Sequence, residues 1–226
     1  MSEFNKSTYD LLEAILRFVA QFGLPMIILA WLLVFFVAIG MVFVLRKHSL
    51  CGKWQASLIV GCISLFAHLF DFFGTLKVCP DLSFEANPIW CVVVEKMGLS
   101  LGRWYGFTGK VLLAVISFEF FAYYLIQRES LLPREAQGFI SFWQNFGKED
   151  DYKSFIRFSN IKNFFAFLFA LIGPFCLYIA FLNSIASDTL YMRMPSMPFM
   201  LVLYLFFLTL GYLFGNYWSF KRKSKE

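Results

Sequence analysis

Five polar residues at the end of one apolar run and in the turn after it have side chains suited to chemistry: His68, Asp71, Thr75, Glu85 and Asn87. His68 and Asp71 are three residues apart, a spacing that places both on the same face of a helix. With Glu85 they make a conceivable three-ligand site for a divalent metal, since helical bundles use carboxylate and imidazole ligands at such spacing. A histidine beside a carboxylate is more often a hydrogen-bonded helix contact, so we expect no metal and no cofactor.

The run Glu85-Ala86-Asn87-Pro88 has two interpretations. In the structural one, Pro88 begins a short helix, Asn87 caps its N-terminus, and Glu85 lies near the positive end of the helix dipole. In the functional one, Asp71, Thr75, Glu85 and Asn87 converge on a polar pocket at the outer membrane interface. Both interpretations stay open at the level of sequence.

The composition indicates a membrane protein. Hydrophobic residues make up 59% of the 226 residues and charged residues only 15%, with a mean hydropathy of +0.65. A soluble domain carries about 25% charged residues, and here the charges cluster between long uncharged runs. The net charge of +5 suits contact with anionic lipid headgroups, so we expect a bilayer partner and no nucleic-acid binding. The sequence has no GxSxG, HExxH or Walker motif.

The hydropathy pattern predicts an all-α, polytopic membrane helical bundle with about five transmembrane helices. A span needs about 20 apolar residues to cross the hydrocarbon. Residues 1–21 are predicted to be an amphipathic segment, at the interface or packed on the bundle. A short apolar segment after Pro88 is expected to be a half-helix or an interfacial helix. The predicted spans are 22–45, 55–76, 104–127, 164–185 and 198–218, with an amphipathic cytoplasmic connection at 128–162 and a basic cytoplasmic tail at 219–226.

The distribution of Lys and Arg predicts the orientation. With five spans and the N-terminus outside, thirteen basic residues fall in cytoplasmic segments and six in outer segments. Because cytoplasmic loops carry the excess of basic residues, we expect a multi-pass protein of the plasma (inner) membrane with a cytoplasmic C-terminus. A partner membrane protein or a second copy of the chain is a further expected contact.

Three charged residues fall inside predicted spans: Asp71, Lys110 and Glu119. Asp71 lies about 7.5 Å and Lys110 about 9 Å from the outer ends of consecutive antiparallel spans, at about 1.5 Å per residue. Because a charge in hydrocarbon is costly alone, we predict an Asp71–Lys110 ion pair. In the alternatives, the pair only fixes helix register, or Lys110 extends outward along the lipid. Glu119 is expected to be protonated or hydrogen-bonded to a Tyr or Ser of another helix.

Cysteine, glycine and proline residues suggest three packing features. Cys79 and Cys91 bracket the turn, and a disulfide between them would clamp it in an oxidising compartment. Pro174 predicts a kink in the fourth span. The spacing of Gly211 and Gly215 indicates a face for close helix packing, within the chain or between chains.

The arrangement Asp71-x3-Thr75-x9-Glu85-x-Asn87-Pro88 resembles a signature of small prokaryotic multi-pass membrane proteins. In those proteins an Asp and a Thr late in one helix are followed by a turn that ends Glu-x-Asn-Pro. The match covers residues 71–88 of the 226, and the two cysteines are not part of the signature. The family has no assigned activity, so the resemblance implies a shared outer constellation and no particular chemistry.

Two functional classes follow from these residues. The favoured one is a non-catalytic membrane subunit or binding protein with a polar site at the outer-facing turn, residues 71–91. The alternative is a membrane enzyme acting on a lipid-linked substrate at the outer interface, with His68, Asp71 and Glu85 as acid and base groups. An ion- or proton-coupled transporter using Asp71, Lys110 and Glu119 is a third possibility, which five spans without an internal repeat make less favourable.

Overall fold

The computed structural model of the chain describes residues 23–46, 52–82, 88–147, 158–184 and 197–224. These residues form an all-α bundle with no strand among them, which confirms the predicted fold class. The N-terminal amphipathic segment, together with Glu85 and Asn87, lies outside the described residues. The helices are α1 (Gly23–Arg46), α2 (Trp54–Val78), α3 (Pro88–Met97), α4 (Leu99–Leu131), α5 (Phe139–Asn145), α6 (Phe158–Leu171), α7 (Cys176–Ser184) and α8 (Met197–Lys223), with a 3₁₀ turn at Gly173–Phe175 between α6 and α7.

Four helical segments of the described chain are long and apolar enough to cross a membrane: Trp54–Val78, Leu99–Leu131, Asn160–Leu182 and Pro198–Lys223. The third of these contains α6, the 3₁₀ turn and α7. Helix α1 has 24 residues, carries no charged residue before Arg46, and coincides with the first predicted span. Large apolar side chains such as Phe66, Phe73 and Trp218 project outward from the bundle, as a lipid-facing surface requires. The protein is therefore a multi-pass membrane protein.

The core of the bundle is α2 packed antiparallel on α4, with the broken helix α6–α7 on both of them. One end of the bundle, which we call the basic end, holds the start of α2 and the end of α4, where Lys53 Nζ lies 2.7 Å from Glu129 Oε2. The opposite end, which we call the turn end, holds residues 79–82, α3 and the start of α4. Trp90 of α3 donates a hydrogen bond from Nε1 to the Gly102 carbonyl at 2.7 Å.

Two glycines of α4 allow α3 to pack this closely. A Cβ at Gly102 would lie 2.4 Å from Val94 Cγ2, and a Cβ at Gly106 would lie 2.4 Å from Trp90 Cζ2. The four-residue spacing therefore forms a close-packing face within the chain. Gly211 and Gly215, which the sequence suggested for such a face, have no close neighbour: Phe167 Cζ is 3.9 Å from a Cβ at Gly211, and nothing lies within 4 Å of one at Gly215.

The aromatic stripe of α5 packs inside the chain. Within the connection that the sequence predicts to be amphipathic, 128–162, Phe142 and Phe146 are fully buried and pack with Leu131 of α4 and Phe220 of α8. The side-chain amide of Asn160 donates to the Phe146 carbonyl at 3.0 Å and joins α6 to the same cluster. The connection between α4 and α6 therefore closes the basic end of the bundle.

Candidate functional site

Asp71 of α2 and Lys110 of α4 form an ion pair inside the bundle. Lys110 Nζ lies 2.5 Å from Asp71 Oδ2, and the two side chains are 22% and 10% exposed. The antiparallel packing of α2 on α4 brings the two residues to the same depth, as their distances from the ends of their spans predict. Asp71 Oδ1 is buried and has no hydrogen-bond partner among the described residues. The carboxylate therefore keeps half of its accepting capacity unused.

His68 lies one helical turn before Asp71 on the same face of α2, and it is 5% exposed. Its Nδ1 is buried and accepts or donates no hydrogen bond within the described part of the chain. Lys110 is close enough to His68 to act on it electrostatically. We call His68, Asp71 and Lys110 the charged cluster.

The break in the third membrane segment faces the charged cluster. Pro174 has no N–H and cannot continue the α-helical ladder, so the chain makes a 3₁₀ turn at Gly173–Phe175. A Cβ at Gly173 would lie 2.1 Å from Ser64 Oγ and 3.2 Å from His68 Nε2. Only a glycine lets the turn approach α2 so closely. Cys176, the first residue of α7, lies within electrostatic range of both Asp71 and Lys110.

A pair of serines lies beneath the cluster, toward the basic end. The hydroxyls of Ser64 on α2 and Ser117 on α4 are 2.9 Å apart and share a hydrogen bond. Ser117 also donates to the Leu113 carbonyl of its own helix at 3.1 Å. Ser64, His68 and Asp71 thus form a buried polar stripe on α2, while Phe66, Phe70 and Phe73 of the same helix face outward.

The remaining residues that the sequence suggested for a polar site, Thr75, Glu85 and Asn87, are not part of the charged cluster. Thr75 is half-buried near the end of α2 and its carbonyl accepts from the Cys79 N–H at 2.8 Å. Glu85 and Asn87 fall outside the described residues, and with them the predicted polar pocket and metal site that included these two residues. Among the described residues, no three His, Cys, Asp or Glu side chains are grouped to hold a metal ion.

Cys79 and Cys91, for which the sequence suggested a disulfide, both lie at the turn end, and the disulfide stays a prediction. Cys79 is buried, and its Sγ donates to Asp81 Oδ1 at 3.4 Å within the turn. Cys91 lies on α3, which is held to α4 by the Trp90 hydrogen bond. The turn end is thus joined by packing and hydrogen bonds.

Glu119 of α4 is 2% exposed, so its burial is as complete as its position in the span suggested. Its Oε2 has no hydrogen-bond partner among the described residues. It lies nine residues beyond Lys110, about 13.5 Å along the helix axis. Glu119 is therefore separate from the charged cluster.

Sequence reasoning missed a second polar group, the tyrosine–asparagine network of Tyr124, Asn163, Tyr212 and Asn216. Tyr124 donates to Asn216 Oδ1 at 3.1 Å, and Tyr212 donates to Asn163 Oδ1 at 3.0 Å. The Asn163 amide donates to the Tyr124 carbonyl at 3.0 Å, and the Asn216 amide to the Tyr212 carbonyl at 2.8 Å. Two asparagines within apolar spans were the available signal, because an amide in hydrocarbon needs partners.

No protein-family model matches the chain, and neither a curated protein nor a solved structure matches it.

Proposed function

We propose that the protein is a membrane binding protein that holds a small polar ligand at the charged cluster. The observation that supports this most directly is the pair of buried atoms without partners, Asp71 Oδ1 and His68 Nδ1. A buried acceptor without a hydrogen bond costs about 1–3 kcal/mol. A ligand that offers a donor to Asp71 Oδ1 would remove that cost.

The helix break supports the same proposal. Discontinuous membrane helices expose backbone carbonyls at the point where the helical ladder is interrupted. Here the interruption at Gly173–Phe175 approaches Ser64 and His68 directly, so that a Cβ at Gly173 would lie 3.2 Å from His68 Nε2. The carbonyls around this break already accept hydrogen bonds within the chain, from the Tyr204 hydroxyl and the Phe175 and Cys176 N–H groups. A ligand with N–H or O–H groups would therefore bond to the Asp71 carboxylate and the His68 imidazole.

The experiment is native mass spectrometry of the gently extracted protein, with wild type compared with Asp71→Asn. We expect a bound small molecule in the wild type and its loss in Asp71→Asn. Lys53→Gln is the matched control, because it breaks an ion pair at the basic end and leaves the charged cluster intact. An assembly with unlike chains, unaffected by Asp71→Asn, would instead make the protein a structural subunit.

The enzyme alternative predicts a different result. A pH-dependent reaction on a lipid-linked substrate, lost in both Asp71→Asn and Glu85→Gln with the fold retained, would replace the binding proposal. Circular dichroism of each variant checks that the helices are intact.

A second candidate function, ion- or proton-coupled transport, is favoured by Glu119. A buried carboxylate with an unpartnered oxygen in a membrane helix is a common feature of proton pathways. Uptake of protons or cations into proteoliposomes, abolished by Glu119→Gln and retained in Lys53→Gln, would support transport. Equal leakage from empty and protein-containing vesicles would exclude it for the ions tested.

We propose further that the basic end faces the cytoplasm, with the N-terminus outside. Lys53, Arg128, Arg134, Lys162 and the Lys221–Lys223 run lie toward that end, whereas Lys77, Lys96 and Arg103 lie toward the turn end. This asymmetry follows the preference of basic residues for the cytoplasmic side and for anionic headgroups. A membrane-impermeant maleimide should label Lys96→Cys in intact cells and Lys223→Cys only after lysis, and the reverse pattern would contradict the orientation.

A further inference from the structure

We propose that an anionic phospholipid binds in a groove between α2 and α4 at the turn end, with its phosphate on Arg103. This inference is independent of the charged cluster and rests on a different part of the molecule. The groove has a volume of about 680 Å³ and its walls are almost entirely apolar. Its lining includes Phe73, Leu76, Leu99, Ser100, Arg103 and Trp104.

The walls of the groove are suited to a lipid acyl chain. Phe73 on α2 and Trp104 on α4 are 57% and 62% exposed, and both belong to helices that are long and apolar enough to span the membrane. The groove therefore opens toward the lipid phase. Trp104 lies five residues into its helix, about 7.5 Å from the start, which is the interfacial depth that tryptophan prefers.

Arg103 supplies the charge. It is the one ionisable side chain that lines the groove, and no carboxylate forms an ion pair with it in the described part of the chain. Its guanidinium donates one hydrogen bond to the Pro80 carbonyl, and its Nε is buried without a partner. Arginine presents a planar fork of donors that matches a phosphate group. A half-buried cation with no ion-pair partner among the described residues thus favours an anionic headgroup.

The floor of the groove separates it from the charged cluster. Phe72, the residue after Asp71, stacks on Trp90 with ring centres 5.7 Å apart and meets Phe107 edge-on at 5.8 Å. Phe72 and Phe107 line the groove, whereas Asp71 and Lys110 are not among its lining residues. Loss of lipid binding in an Arg103 variant and loss of a polar ligand in an Asp71 variant are therefore distinguishable results.

The test is native mass spectrometry of the full-length protein in detergent, titrated with phosphatidylglycerol or with phosphatidylcholine of the same acyl chains. We expect the wild type to prefer phosphatidylglycerol and Arg103→Gln to lose that preference by about tenfold, the effect of one charge-assisted hydrogen bond. Arg103→Lys keeps the charge and should keep most of the preference. Lys96→Gln is the matched control, since Lys96 is an exposed cation at the same end and pairs with Glu95.

Filling the groove tests the acyl-chain part separately. Ser100→Trp should weaken the binding of both lipids equally, because it occupies apolar volume and leaves Arg103 in place. An unchanged lipid preference in Arg103→Gln, or an equal loss in Lys96→Gln, would overturn the proposal. Full displacement of phosphatidylglycerol by inorganic phosphate would make the site one for free phosphate, and a bound mass equal to a second chain would make the groove a dimer contact.

Discussion

Two groups of buried polar side chains lie inside the bundle, and they differ in how completely their hydrogen bonds are made. In the tyrosine–asparagine network, which joins α4, α6 and α8, each of the four side chains makes a hydrogen bond. Asn163 and Asn216 are both fully buried. Such a network stabilises one arrangement of helices, because any other arrangement leaves an amide or a hydroxyl unpaired in an apolar setting.

In the charged cluster, His68 and Asp71 are also buried, Lys110 is 22% exposed, and fewer of the possible hydrogen bonds are made. Asp71 and Lys110 pair at 2.5 Å, but Asp71 Oδ1 and His68 Nδ1 have no partner among the described residues. A buried ion pair is weak evidence for stability, since apolar residues of similar volume often serve as well. The network therefore fits a structural role, while the unpartnered atoms of the charged cluster carry a cost that a bound ligand would remove.

The largest expected effect comes from breaking the ion pair on one side. Lys110→Met leaves the Asp71 carboxylate buried without a counter-charge, and we expect a loss of about 3–5 kcal/mol in the free energy of unfolding. The double variant Asp71→Leu with Lys110→Met removes both charges and should recover most of that loss. Unfolding of detergent-solubilised protein with SDS, followed by circular dichroism, measures both.

The double variant also tests whether the charged cluster differs in role from the tyrosine–asparagine network. If it is stable and binds nothing at the charged cluster, the pair serves function rather than folding. If it is as unstable as Lys110→Met alone, the ion pair is structural, and the contrast with the tyrosine–asparagine network disappears.

The second largest loss in the free energy of unfolding is expected for substitutions in the tyrosine–asparagine network. Asn163→Leu leaves the Tyr212 hydroxyl without its acceptor, which costs about 1–3 kcal/mol, and removes the amide hydrogen bond to the Tyr124 carbonyl. Asn163→Leu with Tyr212→Phe should regain part of the loss, because the unpaired hydroxyl is then removed. The same unfolding assay applies, and binding at the charged cluster should be unchanged in both variants. A stable Asn163→Leu would mean that the network contributes little.

The helix break gives a third prediction. Gly173→Ala introduces a Cβ 2.1 Å from Ser64 Oγ, so the 3₁₀ turn must shift away from α2, with an expected cost of about 1–3 kcal/mol. Gly211→Ala is the control, because its nearest atom, Phe167 Cζ, is 3.9 Å away. We expect Gly211→Ala to keep the wild-type midpoint of SDS unfolding. Equal destabilisation by both substitutions would argue against a close contact between Gly173 and α2.

Much of the fold was predictable because hydropathy and charge act along the chain. The apolar runs located the long helices, Pro174 located the break, and the depths of Asp71 and Lys110 placed the two residues together. Contacts that depend on which helix faces which were not predictable. The spacing of Gly211 and Gly215 looked like a packing face and has no close neighbour, whereas Gly102 and Gly106, with the same spacing, pack on α3.

The candidate site was also predicted only in part, because its spacing along one helix can be read from the sequence and its contacts with other helices cannot. Helical spacing placed His68 beside Asp71, but nothing in the sequence around Gly173 shows that it contacts Ser64 and His68. Phe142 and Phe146 have a pattern that suits a membrane surface as well as a protein core, and only tertiary packing decides between them. Periodicity identifies the face of a helix that is apolar and leaves open what covers it.

The smallest effect is expected at the serine pair. Ser64→Ala removes the hydrogen bond between Ser64 Oγ and Ser117 Oγ, and hydrogen bonds between membrane helices contribute about 0.6 kcal/mol on average. The loss should be this small because Ser117 still donates to the Leu113 carbonyl, so no polar group is left unpaired. If Ser64→Ala keeps the unfolding midpoint and weakens ligand binding, the serine pair belongs with the charged cluster. If it destabilises the bundle as strongly as Asn163→Leu, the α2–α4 contact depends on satisfied polar groups as the tyrosine–asparagine network does.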